Sequence, residues 1–234
     1  MNCIFLRRGY PEINKAPDYS DNFADNDWAT IANVCAAGIA PETWKADGTS
    51  YKDMNIGVDT YRIVIVGKMH DEYENGKKAP LTFQIYNCLA NASMNSSNTN
   101  VGGWENSELR TTTLPERLVQ FPEEVQAAIR PVKKLTSAGN LSTNIVVTYD
   151  KLFVPSEVEV FGHNNNSVAG EGTRYEYYAN GGSTVKTVGG YAATWHERSP
   201  SKSSAAIFCC VGTTGAATTG NASSRRGLSV MFCF

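Results

Sequence analysis

Trp195-His196-Glu197-Arg198-Ser199-Pro200, Ile207-Phe208-Cys209-Cys210-Val211 and Leu228-Ser229-Val230-Met231-Phe232-Cys233-Phe234 stand out from a background of Ser, Ala, Thr, Gly and Asn. The third stretch ends at the last residue of the sequence. A chain end frays unless packing or pairing pins it, so an end this apolar and aromatic reads as a strand buried in a sheet. Between the second and third stretches small residues predominate, with no helical period. Residues that would hold a sheet thus alternate with residues that have no packing role, the pattern of a display surface.

Outward from that region, 234 residues suffice for one large domain, with or without an N-terminal appendage. Eleven Tyr, nine Phe and four Trp can anchor its core. A formal charge of −2 with no basic stripe argues against a nucleic-acid partner. No apolar run reaches the length of a membrane span. The start, Met1 to Arg8, has too short an apolar stretch, and its charge on the wrong side, for a signal peptide. Synthesis in the cytoplasm is expected. The six cysteines (3, 35, 88, 209, 210, 233) lie mostly in apolar runs at no metal or redox spacing, and read as small buried hydrophobes. Cys209 and Cys233 are candidates for neighbours on paired strands.

Residues 1–27 are polar and read as a leader or attachment segment, with the domain at 28–234. Asp27 is placed to cap a helix in which Trp28, Ile31 and Cys35 share a face, ending at Gly38. Tyr61–Gly67 and Leu81–Tyr86 have the β-branched, alternating character of strands. Asn91–Gly103 reads as loop, and Leu114–Ile129 as two short helices with Pro115 and Pro122 in first turns. Ile145–Tyr149 reads as a strand, and Pro155–Gly162 as one or two helical turns closed by Gly162. Beyond Thr173 short strands and long loops are expected. The class is α+β: an irregular antiparallel sheet, short helices and long loops.

The motifs of common enzymes are missing. No Gly-rich phosphate loop follows a strand, His196-Glu197 has no second His, and no Gly-x-Ser-x-Gly elbow occurs. His70-Asp71-Glu72 reads as an isolated polar cluster beside a turn, and His70 and His196 as hydrogen-bonded or solvated side chains. Asp71, Glu72, Asp150, Glu157 and Glu171 lack the spacing of a calcium loop. No catalytic residue, metal site or cofactor is expected.

Several segments taken together carry a resemblance. They are Val64–Asp71, Ala79–Gln84, Met94–Arg110, Lys151–Gly162, Gly170–Tyr178, Trp195–Pro200 and the terminal Phe-Cys-Phe. In these the chain, from about Trp28 to Phe234, resembles the DUF6273-type proteins of gut phages and their bacterial hosts. In particular it is similar to the variable proteins diversified by diversity-generating retroelements. The resemblance implies a C-type-lectin-like (formylglycine-generating-enzyme-like) fold whose C-terminal region, about 201–231, is altered by adenine-directed mutagenesis. Asn codons altered in this way cannot become Lys, Glu, Gln, Met or Trp. From Ser203 to Phe234 the sequence contains none of these except Met231, which reads as structural.

Set beside the family's pattern, the fixed scaffold includes Arg198, Ser199, Pro200, Phe208, Cys209, Val211, Gly215, Gly227, Phe232, Cys233 and Phe234. The substitutable, ligand-binding positions are Ser204, Ala206, Ile207, Cys210, Gly212, Thr214, Ala216, Thr218, Thr219, Gly220, Asn221, Ser224, Arg225 and Arg226, with Ser201 and Lys202 at the margin. Strict alternation would not bury both Phe208 and Cys209, so a bulge is expected there, with Ile207 and Cys210 reaching the surface. The function implied is ligand recognition by a phage tail-associated protein. Its partner is a host cell-surface protein or glycan, with other tail proteins and an oligomer as further possibilities; no nucleic acid and no membrane insertion are expected. The virion is the implied location. A fixed bacterial adhesin is the alternative, and an enzyme of the formylglycine-generating type, using Cys209, Cys210 and Cys233, a fainter one.

Overall fold

The computed structural model describes residues 17–234. Asp27 accepts a hydrogen bond from the Thr30 amide at 2.7 Å and so caps α1 (Trp28–Ala36), whose Trp28, Ile31, Val34 and Cys35 face the core. A hairpin follows, β1 (Tyr51–Ile56) with β2 (Asp59–Lys68), then the wholly buried β3 (Leu81–Ile85) and the two-residue β4 (Asn91–Ala92). A π-helical turn at Leu109–Thr113 runs into α2 (Leu114–Leu118), which is followed by α3 (Glu123–Ala128). Next come the hairpin β5 (Val132–Ser137) and β6 (Ile145–Asp150), then α4 (Glu157–Phe161) and α5 (Glu176–Ala179). The remaining strands are β7 (Lys186–Val188), β8 (Tyr191–Ala193), β9 (Trp195–Pro200), β10 (Ile207–Val211), β11 (Ala217–Asn221), β12 (Arg226–Gly227) and β13 (Met231–Cys233).

The fold mixes short helices with open, mainly antiparallel sheets. One sheet has the order β1-β2-β3-β13, a second β11-β10-β9-β12-β4, and β5-β6 and β7-β8 are separate ribbons. Among the described residues the single parallel contact is β12 on β9. The expected final strand is present: Phe232 stands opposite Phe83, and the Phe234 amide donates to Leu81 O. Phe83 is the hub of the aromatic core, with ring centroids 5.1 Å from Phe234, 5.2 Å from Phe232, 5.9 Å from Trp28 and 6.2 Å from Phe23. Burying Phe232 and Phe234 stabilises the fold by about 3–6 kcal/mol. That makes the last strand part of the frame.

Four sequence expectations need adjustment. β1 and β5 were not anticipated, because Tyr51-Lys52-Asp53 and Val132-Lys133-Lys134 carry charges that read as surface. α5 lies where strands and loops were expected. Cys209 and Cys233 are not neighbours on paired strands, since β10 lies between β9 and β11 whereas β13 pairs β3 in the other sheet. Of the segment 1–27, residues 1–16 lie outside the described residues, while Phe23 is buried against Trp44 at 5.2 Å. Among the described residues no helix is long and apolar enough to cross a membrane.

Candidate functional site

The candidate residues fall on the β10–β11 hairpin and the loops at its ends. β10 and β11 pair in unbroken register from Ile207 opposite Asn221 to Val211 opposite Ala217. On the other side β10 pairs β9 with a register shift between Phe208 and Cys210. The irregularity lies on β9, where Glu197, Arg198 and Ser199 stand opposite Cys209 alone; β10 itself keeps its register with β11 and carries no bulge, contrary to expectation. The burial along β10 also differs from expectation at one position. Phe208, Cys209, Cys210 and Val211 are all buried, and the Cys210 thiol points toward Phe208 O at 3.7 Å. Cys210 does not reach the surface, and burial pushes its thiol up to about 12. β10, flanked by β11 and β9, is covered on both faces from Phe208 to Val211.

The other thirteen candidate positions are half-buried or exposed, from Ser204, Ala206 and Ile207 through the 212–216 turn and β11 to Arg225 and Arg226. All eleven scaffold positions are buried. Gly227 shows the reason for one of them: a Cβ there would stand 2.5 Å from Cys88 Sγ and 3.3 Å from Trp195 Cβ. Neighbours that the sequence reading left out also contribute. Asn98 Oδ1 accepts from the Ser223 hydroxyl at 2.5 Å, and Asn91 O accepts from Arg225 Nη2 at 2.7 Å. Buried Asn100 ties three loops together. Its Nδ2 donates to Ser204 O (2.9 Å) and Ile207 O (2.8 Å), while its Oδ1 accepts from the Asn140 amide (2.8 Å). The surface is shallow. A cleft of about 440 Å³ lined by Arg110, Leu114, Tyr149 and Lys151 lies elsewhere and includes none of these positions.

Beneath the hairpin, β9 carries two buried charges of opposite fate. Arg198 forks onto Glu159, with Nη2 to Oε1 at 2.8 Å, and also donates to Thr136 Oγ1, Val154 O and Glu171 O. Lys134 bridges Glu159 and Asp71, and Tyr175 Oη donates to Asp71 at 2.9 Å. Burial alone would raise Asp71, but the Lys134 ammonium, His70 and hydrogen bonds from Lys134 and Thr82 together overcome it and bring the carboxyl down to about 2. Glu197 has no such partner: both carboxylate oxygens lack a hydrogen bond among the described residues. Burial first, then the nearby Glu157 and Glu171, hold it well above the usual carboxylate range. Burial likewise lifts Glu171 to about 7. His196 is a core histidine, its Nε2 2.7 Å from Ala92 O and its pKa lowered by burial to about 4.

The remaining acids are occupied. Asp150 accepts from Arg110 Nε at 2.6 Å and Trp104 Nε1 at 2.8 Å, and Glu157 from the Asn166 and Ser167 amides. Among the described residues no three His, Cys, Asp or Glu side chains are grouped to hold a metal ion.

The family model for a domain of unknown function, DUF6273, matches residues 78–234. The chain belongs to the DUF6273 family. No curated protein and no solved structure matches it. The DUF6273 match begins just before β3 and takes in the hairpin, Lys134, Glu159 and Arg198. α1, β1 and β2 precede it, although β2 pairs β3 within one sheet.

Proposed function

We propose that this DUF6273 protein is a ligand-binding display module of C-type-lectin-like architecture. In this reading its C-terminal face is diversified by a retroelement and serves host-surface recognition on a phage tail, with no catalysis. The observation that carries the reading is the split in the C-terminal region: every scaffold position is buried, and every candidate position except Cys210 is at least partly open. A surface built that way accepts changes of side chain without loss of the frame beneath it. The absence of Lys, Glu, Gln and Trp after Lys202 adds a compositional support that burial does not require.

The test is sequencing of this gene and its flanking DNA across a natural population. The reading expects substitutions concentrated at 201–231, at adenine-bearing codons of a near-identical template beside a reverse transcriptase. Variation spread evenly along the gene, with no template, would overturn it and leave a fixed binding module.

A further inference from the structure

The display face carries two arginines and no acid. From Ser203 to Phe234 the sequence has neither Asp nor Glu, and no carboxylate lies within 4.0 Å of Arg225 or Arg226 among the described residues. Arg226 is nevertheless held in place. Its Nη1 donates to Asn221 O at 2.9 Å and to Ser224 O at 3.4 Å. The guanidinium lies directly over Gly220, where a Cβ would stand 1.9 Å from Nη2, 2.3 Å from Cζ and 2.9 Å from Nε. Only glycine leaves that space. Among the described residues no acceptor meets Nε or Nη2, and neither atom is buried, which leaves the edge that Arg presents to a carboxylate open.

We propose that Gly220 and Arg226 form an anion-binding subsite that takes the carboxylate of an acidic saccharide. The proposal rests on the reading of this face as ligand-binding and adds its ligand class. A guanidinium already fixed by two carbonyls loses little further freedom on binding, and the Nε–Nη2 edge matches two carboxylate oxygens. The surroundings favour a sugar over a protein. Thr218, Thr219, Ser223 and Ser224 offer hydroxyls, and the one aromatic side chain between residues 201 and 231, Phe208, is buried, so the segment presents no aromatic anchor of the kind a protein interface uses. Gly220 thereby decides how Arg226 is used: any side chain at 220 ejects the guanidinium.

The full chain is assayed against immobilised polygalacturonate, its fully methyl-esterified form, and polyglutamate. The expected result is binding to polygalacturonate that weakens with added salt, with little to the ester. Arg226→Gln and Gly220→Ala should each cost at least tenfold in affinity, and Arg226→Lys most of that, because it keeps the charge and loses the fork. Thermal melts of the variants establish that they fold; should Gly220→Ala not fold, the two Arg226 variants carry the test. Equal binding to the ester, no binding to either saccharide, or unchanged affinity in Arg226→Gln overturns the proposal. A preference for polyglutamate overturns the saccharide assignment. The population sequencing reads where the gene varies, whereas the binding assay reads what this one chain holds, so the two can fail separately.

Discussion

Glu197→Gln should stabilise this protein at neutral pH and do so less as the pH falls. Glu197 is fully buried on β9, with both oxygens unpartnered and burial, Glu157 and Glu171 all favouring its neutral form. Glu159, Arg198, Cys209, Cys210 and Tyr178 complete its titratable surroundings. The native protein keeps a proton that the unfolded chain releases near 4.5. Stability is therefore greatest below that pH and falls as the pH rises toward the native value. Each pH unit over which the native state alone holds the proton costs about 1.4 kcal/mol. The Gln amide titrates in neither state. It also buries one more N–H than the acid did, which costs about 1–2 kcal/mol. The expected result is a net gain at pH 7.5 that shrinks as the pH falls and turns into a small loss near pH 4.5. Urea unfolding of both proteins at pH 4.5, 6 and 7.5 measures the difference directly, and comparison with the wild type removes the parallel contribution of Glu171. A difference that does not change with pH, or a variant that grows relatively weaker toward pH 7.5, would refute the reasoning.

Lys134→Met leaves Asp71 and Glu159 with one cation fewer in a buried site; denaturant unfolding should show a loss of about 3–5 kcal/mol. Asn100→Ala removes three hydrogen bonds between loops and should cost about 3 kcal/mol, with faster amide exchange at Ser204–Ile207. Cys210→Asn buries an amide with no partner and should cost about 2–4 kcal/mol, whereas Thr219→Asn on half-open β11 should stay within about 0.5 kcal/mol; paired thermal melts decide between them.

What could be read from the sequence was governed by local chemistry. Asp27 announces α1, because a carboxylate ahead of an apolar period can meet only the orphan amides of a first turn. Ser156 and Gly162 bracket α4 in the same way: the hydroxyl takes the Glu159 amide, and the glycine closes the helix in the left-handed conformation. What stayed hidden depends on distant partners. Lys134 sits in a Val-Lys-Lys-Leu run that reads as half-exposed, and its burial is set by Asp71, 63 residues away, and by Glu159. His70-Asp71-Glu72 reads as an isolated polar cluster beside a turn for the same reason. Cys210 was misplaced because nothing local announces that β10 is covered on both faces, with Phe208, Cys209, Cys210 and Val211 all buried.

In the proposed reading one segment serves as both display surface and structural frame, and it can do so because the two jobs use different groups. Pairing of β10 with β11 runs through backbone amides and carbonyls, which are identical whatever the side chain, so Thr218, Thr219 and Asn221 can change while the ladder stays. The frame is fixed where side chains do the holding: Arg198 on Glu159, Phe232 and Phe234 on Phe83, Gly227 against Cys88 and Trp195. β12 and β13 then return the chain to the interior immediately beyond the last candidate position, Arg226. The open positions are thereby confined between two pinned strands. Gly220 departs from this independence, since its lack of a side chain is what lets Arg226 lie on the strand. Effects of substitution on stability should add across Thr218, Thr219 and Asn221. Positions 220 and 226 should couple, with Gly220→Ala costing affinity when residue 226 is Arg and nothing when it is Gln.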